Sequence, residues 1–350
     1  MSMGILRKFA LCVAITGSIF VSQSASARDL TIVSWGGNFQ DAQREKFFKP
    51  FGAELGKPVL EQSWEGGLGV LQAKTRGGDP NWDIVQIEPI DLVPGCSDGL
   101  FEKVDWSKIG NTNDFIPQAV TECGVGAIIW SVGFAYDTKK MPDGPQNWAD
   151  FWDVAKFPGK RGMRRGPMYT LEPALLADGV AKEDVYKVLS TPEGVARALK
   201  KLDELRPYIV WWDVSASQLQ LLASGQVAMT VAYSGRIANI NKSEGTSYKY
   251  IFNQSLYGMD YWVVLKGSKN KADAMKYLSF VSRPDIQAQY AEYSTQGIPN
   301  KKASELIPKE ATTYMPSSPQ NFDVSVPLDA NFWADNIAPL TQRFNAWLTR

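Results

Sequence analysis

The predicted fold rests first on one stretch of sequence, LTIVSWGGNFQDAQREKFFKPFGAELGKPVLEQSW (residues 30–64). It begins with a short apolar segment, Leu30–Ser34, which predicts a buried strand, and a glycine pair then predicts a turn. Apolar residues recur at helical spacing from Phe39 to Leu55, which predicts an amphipathic helix. KPVLEQSW predicts a second strand, GGLGVLQAKT leads into a second helix, and WDIVQIE predicts a third strand. This alternation indicates an α/β domain with a mainly parallel sheet.

The ends of these three predicted strands carry candidate site residues. Ligands of parallel α/β sheets bind beyond the carboxyl ends of the strands. Here those ends deliver Trp35, Trp64 and Glu88 to one edge. We therefore expect an aromatic and acidic cleft at this edge. The glycines of GGLGVLQAKT do not have the spacing of either phosphate-binding glycine motif, so a nucleotide is not favoured.

The second half of the chain repeats the α/β pattern from Met163 onward. Helices are predicted around Glu172 and over Pro192–Leu205, and SQLQLLAS predicts a helix before the strand VAMTVAY. GAIIWSVGFAYD and GMDYWVVL predict long connecting strands, the second starting at Asp260, and residues 270–293 predict one further helix. Because neither connection has the composition of a flexible linker, we expect two α/β lobes joined by a hinge.

The first 27 residues predict a secretory signal peptide. Arg7 and Lys8 form a basic segment, Phe9–Val21 is apolar, and Ala25-Ser26-Ala27 fits a cleavage site. The mature chain is therefore expected to begin near Arg28 and to be periplasmic. No later apolar run approaches the length that spans a membrane.

The cysteines fit an exported protein. Of three cysteines, Cys12 lies in the predicted signal peptide, which leaves Cys96 and Cys123. In an oxidising compartment such a pair usually forms a disulfide. Closing a loop of about 28 residues would stabilise the fold by ~3–4 kcal/mol in the chain-entropy model. Two buried free thiols are the alternative, and the export signal favours the disulfide.

The overall composition excludes several classes of function. The chain has no histidine, which excludes Ser-His-Asp and Cys-His catalysis and any His-ligated metal. Carboxylate-only or Lys-based chemistry stays open. The 37 basic residues balance 37 acidic ones, which argues against nucleic acid as a partner. The 12 tryptophans exceed what a core requires and favour aromatic walls in a cleft. No cofactor or metal site is predicted.

Three acids are candidates for binding a cation. Asp260 directly precedes the apolar run YWVVL, and a buried carboxylate needs a partner. That partner is either a Lys, an Arg or a helix amide of the protein, or the cationic group of a ligand. Glu88 and Glu172 are further acids near predicted loops, although Pro173 beside Glu172 also fits a simple helix start. An acid with aromatic walls suits a protonated amine.

The remaining candidates supply aromatic faces and polar groups. Trp211 and Ser215 combine a ring with a hydroxyl group, but a core tryptophan and a helix cap explain them as well. Tyr233 ends a strand that should be central to the second lobe. Arg236, just beyond it, could bind a carboxylate or form a salt bridge between the lobes. Tyr261, next to Asp260, is expected to add another aromatic wall.

Several segments, taken together, resemble a known family. In order along the chain they are LTIVSWGG, WDIVQI, GFAYDTKKMP, NWADFWD with FPGKRGM, LLASGQVAMTVAYSGR, and residues 258–300 from GMDYW to QGIPN. The chain is similar over most of its mature length to bacterial extracellular solute-binding proteins of the spermidine/putrescine type. Those proteins deliver ligands to ABC importers.

The resemblance implies a fold, a function and partners. The fold would be the α/β, two-lobed periplasmic-binding-protein fold (type II), with the ligand in a cleft between closing lobes and no catalysis. Lobe 1 would hold residues 28–135 and 260–305, and lobe 2 residues 136–259 and 306–350. The partners would be a small organic amine and the membrane permease of an importer. The chain is expected to act as a monomer.

The binding positions of the family carry over unevenly. Its amine-binding aspartate matches Asp260, its aromatic residues match Trp35 and Tyr233, and its acid in the second lobe matches Glu172. The family has an aromatic residue two positions before the aspartate, where this chain has Gly258. That wall is therefore lost unless another ring replaces it.

Further departures leave the ligand open. Tyr261 is the predicted replacement for the lost wall, Gln296 stands where the family has another aromatic residue, and Ala334 where it has a polar one. Arg236 is an additional cation, which a pure polyamine site would not favour. The ligand is thus a putrescine- or spermidine-like polyamine, or alternatively a short amino-alkanoate whose carboxylate binds Arg236. Outside this class, the alternative is an exported hydrolase that uses two carboxylates.

Overall fold

The protein is built on one large β-sheet. Met1 and residues 28–350 are described in the computed structural model, and the rest of the predicted signal peptide lies outside the described residues. Nine strands form the sheet. They are β1 (Leu30–Ser34), β2 (Val59–Ser63), β3 (Ile84–Ile87), β4 (Gly124–Asp137), β5 (Arg161–Arg164), β6 (Ile209–Trp212), β7 (Met229–Tyr233), β8 (Tyr248–Val264) and β9 (Val326–Pro327).

Helices cover this sheet and connect its strands. A π-helical turn, Arg44–Phe48, joins the first two α-helices, Gly37–Gln43 and Lys49–Leu55, into one continuous helical segment. The α-helices are α1 (Gly37–Gln43), α2 (Lys49–Leu55), α3 (Leu68–Thr75), α4 (Pro89–Ser97), α5 (Trp106–Ile109), α6 (Trp148–Trp152), α7 (Leu171–Ala177), α8 (Val185–Leu189), α9 (Pro192–Leu205), α10 (Ser217–Ala223), α11 (Ser234–Glu244), α12 (Lys271–Val281), α13 (Pro284–Ser294), α14 (Lys301–Ser304), α15 (Lys309–Thr312), α16 (Pro319–Phe322) and α17 (Ala330–Leu348).

The order of the strands divides the sheet into two halves. It runs β2-β1-β3-β8-β4-β7-β5-β6, and β9 pairs with β8. Strands β1, β2 and β3 are parallel to one another, as are β5, β6 and β7. Strands β4 and β8 are antiparallel to each other and to β7 and β3 beside them, whereas the short β9 is parallel to β8. We call the half on β1–β3 lobe 1 and the half on β5–β7 lobe 2. The predicted two-lobed α/β fold is confirmed, while the residue boundaries of the lobes stay a prediction.

Strands β4 and β8 are shared by both lobes. Their pairing register shifts between Gly126 and Ile128 and again between Val132 and Phe134. At the second shift, a β-carbon on Gly133 would lie only 2.4 Å from the backbone oxygen of Ile251, so the close approach requires a glycine. The predicted hinge would bend these two strands, and lobe closure stays a prediction.

Two predicted elements differ in the structure. Asp260 does not begin its strand but lies deep inside β8, because the pairing with β4 extends back to Tyr248. The helix predicted over 270–293 is two helices, α12 and α13. The break falls at Pro284, since proline lacks the N–H group that a continuing helix needs and restricts the residue before it.

Most of the tryptophans serve the core instead of the cleft. Trp148, Trp262 and Trp333 are among the largest fully buried side chains. The high tryptophan content, from which aromatic cleft walls were predicted, therefore mainly reflects packing of the core beneath the helices. Of the 12, only Trp35 and Trp130 line the cavity described below. Within the described residues, no helix combines the length and the apolar character needed to cross a membrane.

Candidate ligand-binding site

A cavity lies between the two lobes at the centre of the sheet. Its volume is about 70 Å³, where one enclosed water needs about 10–15 Å³. The space therefore suits a small organic molecule. The lining residues are Trp35, Phe39, Glu65, Glu88, Ile128, Trp130, Arg164, Ser215, Tyr233, Arg236, Asp260 and Gln296. Six of them are predicted site residues: Trp35, Glu88, Ser215, Tyr233, Arg236 and Asp260.

Asp260 is the most completely enclosed acid of this cavity. Its carboxylate accepts hydrogen bonds from Trp35 Nε1 at 2.7 Å, Gln86 Nε2 at 2.8 Å and Trp130 Nε1 at 2.6 Å. All three donors are uncharged, and no Lys or Arg among the described residues forms an ion pair with Asp260. Only 3% of the residue is exposed. The protein thus orients this carboxylate and leaves its charge without a cationic partner.

The surroundings of Asp260 favour its protonated form when no ligand is present. Burial, followed by the negative charge of Glu88, raises the pKa of Asp260 to about 8, although the three hydrogen bonds oppose this shift. A cation placed beside it would reverse the effect. The chemistry of the site therefore suits a protonated amine.

Trp130 occupies the space that the missing side chain of Gly258 leaves. The two residues face each other on the paired strands β4 and β8. A β-carbon at position 258 would lie 2.4 Å from the Trp130 ring. The aromatic wall is therefore restored from the neighbouring strand by Trp130, and Tyr261 does not take this place.

Two arginines face the acids from lobe 2. Arg236 lies in the first turn of α11, is 8% exposed, and donates one hydrogen bond, from Nη1 to Asn38 Oδ1 at 3.2 Å. Arg164 ends β5, and its guanidinium lies 5.1 Å from the centre of the Tyr169 ring. Among the described residues, no carboxylate forms an ion pair with either arginine. Arg236 therefore does not form the salt bridge between the lobes that was the alternative, and its free N–H groups can bind an anion.

Four predicted site residues lie outside the lining of the cavity. Trp64 stacks on Trp35, with ring centres 5.4 Å apart, and supports it from behind. Tyr261 points to the other face of β8 from Asp260, because side chains alternate along a strand, and donates its hydroxyl to the Gln118 carbonyl. Trp211 packs edge-on against Phe344, with ring centres 5.7 Å apart.

Glu172 is the fourth of these residues, and it lies one layer behind the cavity. It is fully buried and accepts hydrogen bonds from Trp333, Tyr186 and the backbone of Tyr169. Burial raises its pKa to about 7, although these hydrogen bonds oppose the shift. Glu172 matches the amine-binding acid in the second lobe of the family, but its carboxylate does not lie on the cavity surface.

Six lining residues were not among the predicted site residues: Phe39, Glu65, Ile128, Trp130, Arg164 and Gln296. Of these, Gln296 had been noted only as a departure from an aromatic binding position of the family. For Arg164 a signal existed, because it ends a parallel strand of lobe 2 and the rule applied to β1–β3 applies there too. Glu65 directly follows Trp64 at the end of β2. Trp130 had no such signal, since it lies in mid-strand and reaches the site through its pairing with Gly258.

The disulfide predicted between Cys96 and Cys123 is present in the structure. Their Cα atoms lie 5.8 Å apart, within the range for such bonds. The bond connects the end of α4 to the segment before β4, and Glu88 immediately precedes α4. Over the described residues, no group of three or more Cys, Asp or Glu side chains is placed to hold a metal ion.

The comparisons with known proteins agree with this architecture. The chain is 44% identical over 326 residues to a gamma-aminobutyric acid-binding protein of Pseudomonas aeruginosa. The aligned region covers 93% of this chain and 92% of the relative. A solved GABA receptor is 31% identical with a TM-score of 0.80 and covers 92% of this chain and 98% of its own. The binding protein MotA of A. tumefaciens B6 in complex with glucopine is 31% identical with a TM-score of 0.84. The match covers 92% of this chain and 100% of MotA.

The family assignment follows from a match to a family model. The model of the bacterial extracellular solute-binding proteins matches residues 45–317, which contain most of both lobes and ten of the twelve residues that line the cavity. The resemblance to this family is therefore confirmed, whereas its spermidine/putrescine subtype is not. The chain belongs to the family of bacterial extracellular solute-binding proteins.

Proposed function

We propose that this protein captures a short ω-amino acid, such as gamma-aminobutyric acid (GABA), in the periplasm and delivers it to the permease of an ABC importer. One observation carries the proposal: the same cavity contains a buried acid without a cation and a buried arginine without an anion. Asp260 and Arg236 are more than nine-tenths buried. Leaving either charge unpaired is costly, so a ligand that carries both charges satisfies both.

The chemistry of the walls fits the two ends of such a ligand. The ammonium group would lie at Asp260, beside the faces of Trp35 and Trp130, where charge, hydrogen bonding and cation–π attraction act together. The carboxylate would bind Arg236, whose planar guanidinium suits a carboxylate. Phe39 and Ile128 offer apolar surface to the methylene groups between the two ends.

The two arginines of the cavity favour a zwitterion over a dication. Arg164 and Arg236 offset two of the three acids in the lining, which are Glu65, Glu88 and Asp260. A polyamine would place a second ammonium group towards the arginines, which repels it. The names of the relatives support the same direction, since two of them are a GABA-binding protein and a GABA receptor.

A titration with matched variants tests the proposal. The parent protein is titrated calorimetrically with GABA, putrescine and spermidine, and we expect GABA to bind most tightly. Asp260→Asn and Arg236→Gln should each weaken GABA binding by about 2–5 kcal/mol, the range for removing one partner of a buried charge pair. Arg76→Gln, at an exposed arginine outside the cavity, is the control and should bind like the parent.

A polyamine is the second candidate, because the acidic Glu65 joins Glu88 and Asp260 in the lining. If it is the ligand, Arg236→Gln should leave affinity for putrescine or spermidine equal or improved. Equal GABA affinity in parent and Asp260→Asn would contradict the assignment of the ammonium site. Recovery of unchanged ligand after incubation separates a binding protein from a hydrolase.

A further inference from the structure

Tyr169 has a backbone conformation that is unusual for its residue type. Its φ is 66°, in the left-handed region that a bulky residue rarely adopts, and its side chain is fully buried. Such a conformation persists only where the surroundings hold it, and it is often found beside functional sites. The structure around Tyr169 therefore has to supply the interactions that hold it.

Glu172 supplies one of these interactions. Its Oε2 atom accepts the backbone N–H of Tyr169 at 3.0 Å, which ties the strained residue to the first turn of α7. Its Oε1 atom accepts Trp333 Nε1 at 2.8 Å and the Tyr186 hydroxyl at 3.1 Å. Both carboxylate oxygens are thus in use, and both accept only. The three donors belong to the segment before α7, to α8 and to α17. Together they hold the acid in the core of lobe 2.

The side chain of Tyr169 extends from this anchor to the wall of the cavity. Its hydroxyl donates to Glu88 Oε1 in lobe 1 at 3.4 Å. Its ring lies edge-on to Trp130, with centres 5.6 Å apart, and under the guanidinium of Arg164. Tyr169 thus contacts three lining residues and bridges from lobe 2 to lobe 1.

We propose that Glu172 is a positioning residue, which acts on the ligand through Tyr169: it holds Tyr169 in the left-handed conformation that brings the tyrosine hydroxyl to Glu88. This bridge forms only when the lobes are together, so it stabilises the closed, liganded state. The proposal deepens the GABA-binding function and rests on it for its affinity readout. It gives Glu172 a role without contact to the ligand, and it accounts for a fully buried acid in the second lobe.

A double-mutant cycle tests this route. Glu172→Gln keeps the size but turns one of the two acceptors into a donor, and Tyr169→Phe removes only the hydroxyl. Each single variant should weaken GABA binding about tenfold, as expected for loss of a buried hydrogen bond. In the Tyr169→Phe background, Glu172→Gln should cause little further loss, because its effect passes through the hydroxyl. Losses that multiply, or parent-like binding by Glu172→Gln, would overturn the proposal.

A second measurement needs no ligand. Hydrogen exchange of the Tyr169 amide in the ligand-free protein should be slow in the parent and at least about tenfold faster in Glu172→Gln, because its acceptor is lost. The exposed Glu183→Gln is the matched control and should change neither exchange nor affinity. Unchanged exchange in Glu172→Gln would refute the anchoring of Tyr169.

Two outcomes separate this inference from the proposed function. If the parent does not bind GABA, the proposed ligand fails, while the exchange measurement still decides whether Glu172 anchors Tyr169. If Glu172→Gln does not fold, Tyr186→Phe replaces it in both measurements, because it removes one donor to Glu172 from a half-buried position. It should then show the same coupling to Tyr169→Phe at smaller size, and additive losses would again overturn the proposal.

Discussion

Gly258 shapes the binding site through the side chain that it lacks. Trp130 occupies the space above it and donates to Asp260 from there at 2.6 Å. A larger residue at position 258 would compete with the tryptophan for the same volume. At the scale of single residues, the orientation of the Asp260 carboxylate thus depends on a glycine two positions before it.

Gly258→Ala should therefore destabilise the protein and weaken its ligand binding. The new β-carbon would lie 2.4 Å from the Trp130 ring, so the ring has to move and its hydrogen bond to Asp260 is strained. We expect the free energy of unfolding to fall by about 1–3 kcal/mol, as for other overpacked sites. Urea denaturation measures this change, and calorimetry measures the loss of GABA affinity.

Gly69→Ala is the control for this substitution. Gly69 lies in α3 with open space around its added β-carbon. Replacing a helical glycine by alanine should stabilise the protein by about 0.5–1 kcal/mol. A Gly258→Ala variant as stable as Gly69→Ala would show that Trp130 does not need this space.

The individual site residues differed in how well the sequence predicted them. Asp260 was predictable because an acid beside an apolar strand requires a partner, and Arg236 because it follows a strand end. Trp130 was not, because strand pairing between β4 and β8 brings it to Asp260 and the sequence does not state the register. Glu172 was predicted at the ligand, but the packing of Trp333 places it one layer behind.

At the scale of elements, the disulfide fixes the helix that follows the acidic strand end. Glu88 precedes α4, and Cys96 near the other end of α4 is bonded to Cys123. The bond therefore limits the movement of this helix relative to β4. Because Glu88 contributes to the pKa of Asp260, the position of α4 also matters to the site.

Replacing both cysteines should lower stability more than affinity. In the chain-entropy model, the Cys96→Ser, Cys123→Ser double variant should lose ~3–4 kcal/mol of unfolding free energy, since the unfolded chain regains the freedom of a loop of about 28 residues. Urea denaturation of parent and variant, both without reductant, measures this loss. Thiol labelling of the denatured, unreduced parent should find no free thiol, and two labelled cysteines would contradict the bond.

Local patterns predicted most elements well, and the exceptions have physical causes. The predicted bounds of β1 and α9 agree with the structure because apolar spacing and capping residues act locally. The strand β5 was missed because RGMR carries two charged residues in four positions. Arg161 is fully buried there, where it donates to the carbonyl groups of Phe151 and Gly159, a pairing that the sequence pattern does not reveal.

At the scale of the whole molecule, buried carboxyl groups replace histidine as groups that titrate near neutral pH. The chain has no histidine. Burial instead raises the pKa of Asp91 to about 6, of Glu172 to about 7 and of Asp260 to about 8. Glu172 and Asp260 are connected to the cavity through the contacts described above. The response of the protein to pH should therefore be concentrated at its binding site.

GABA binding should release protons at neutral pH. Because the pKa of Asp260 is raised above its unfolded value, the folded protein holds a proton between about pH 4 and pH 8 that the unfolded chain has lost. The contribution of Asp260 to the free energy of unfolding therefore decreases as pH rises through this interval. A bound ammonium group favours the carboxylate, so the proton leaves when the ligand binds.

Calorimetry in two buffers of different ionisation enthalpy measures this release. At pH 7 the apparent binding enthalpy of the parent should depend on the buffer, and affinity should rise between pH 6 and pH 8. Asp260→Asn cannot release this proton, so its weaker binding should show much less dependence on the buffer. Equal enthalpies for the parent in both buffers would contradict the protonated state of Asp260.

The two shared strands also govern when the chain can fold. Ile84 of β3 pairs with Val264 of β8, and Gly124 of β4 pairs with Val263. The sheet of lobe 1 is thus incomplete until the chain as far as Val264 is available, although β1, β2 and β3 lie near its start. Lobe 2 needs β8 as well. A chain that emerges from its first residue onward must therefore remain without a finished lobe for most of its length, and it depends during that time on protection from aggregation.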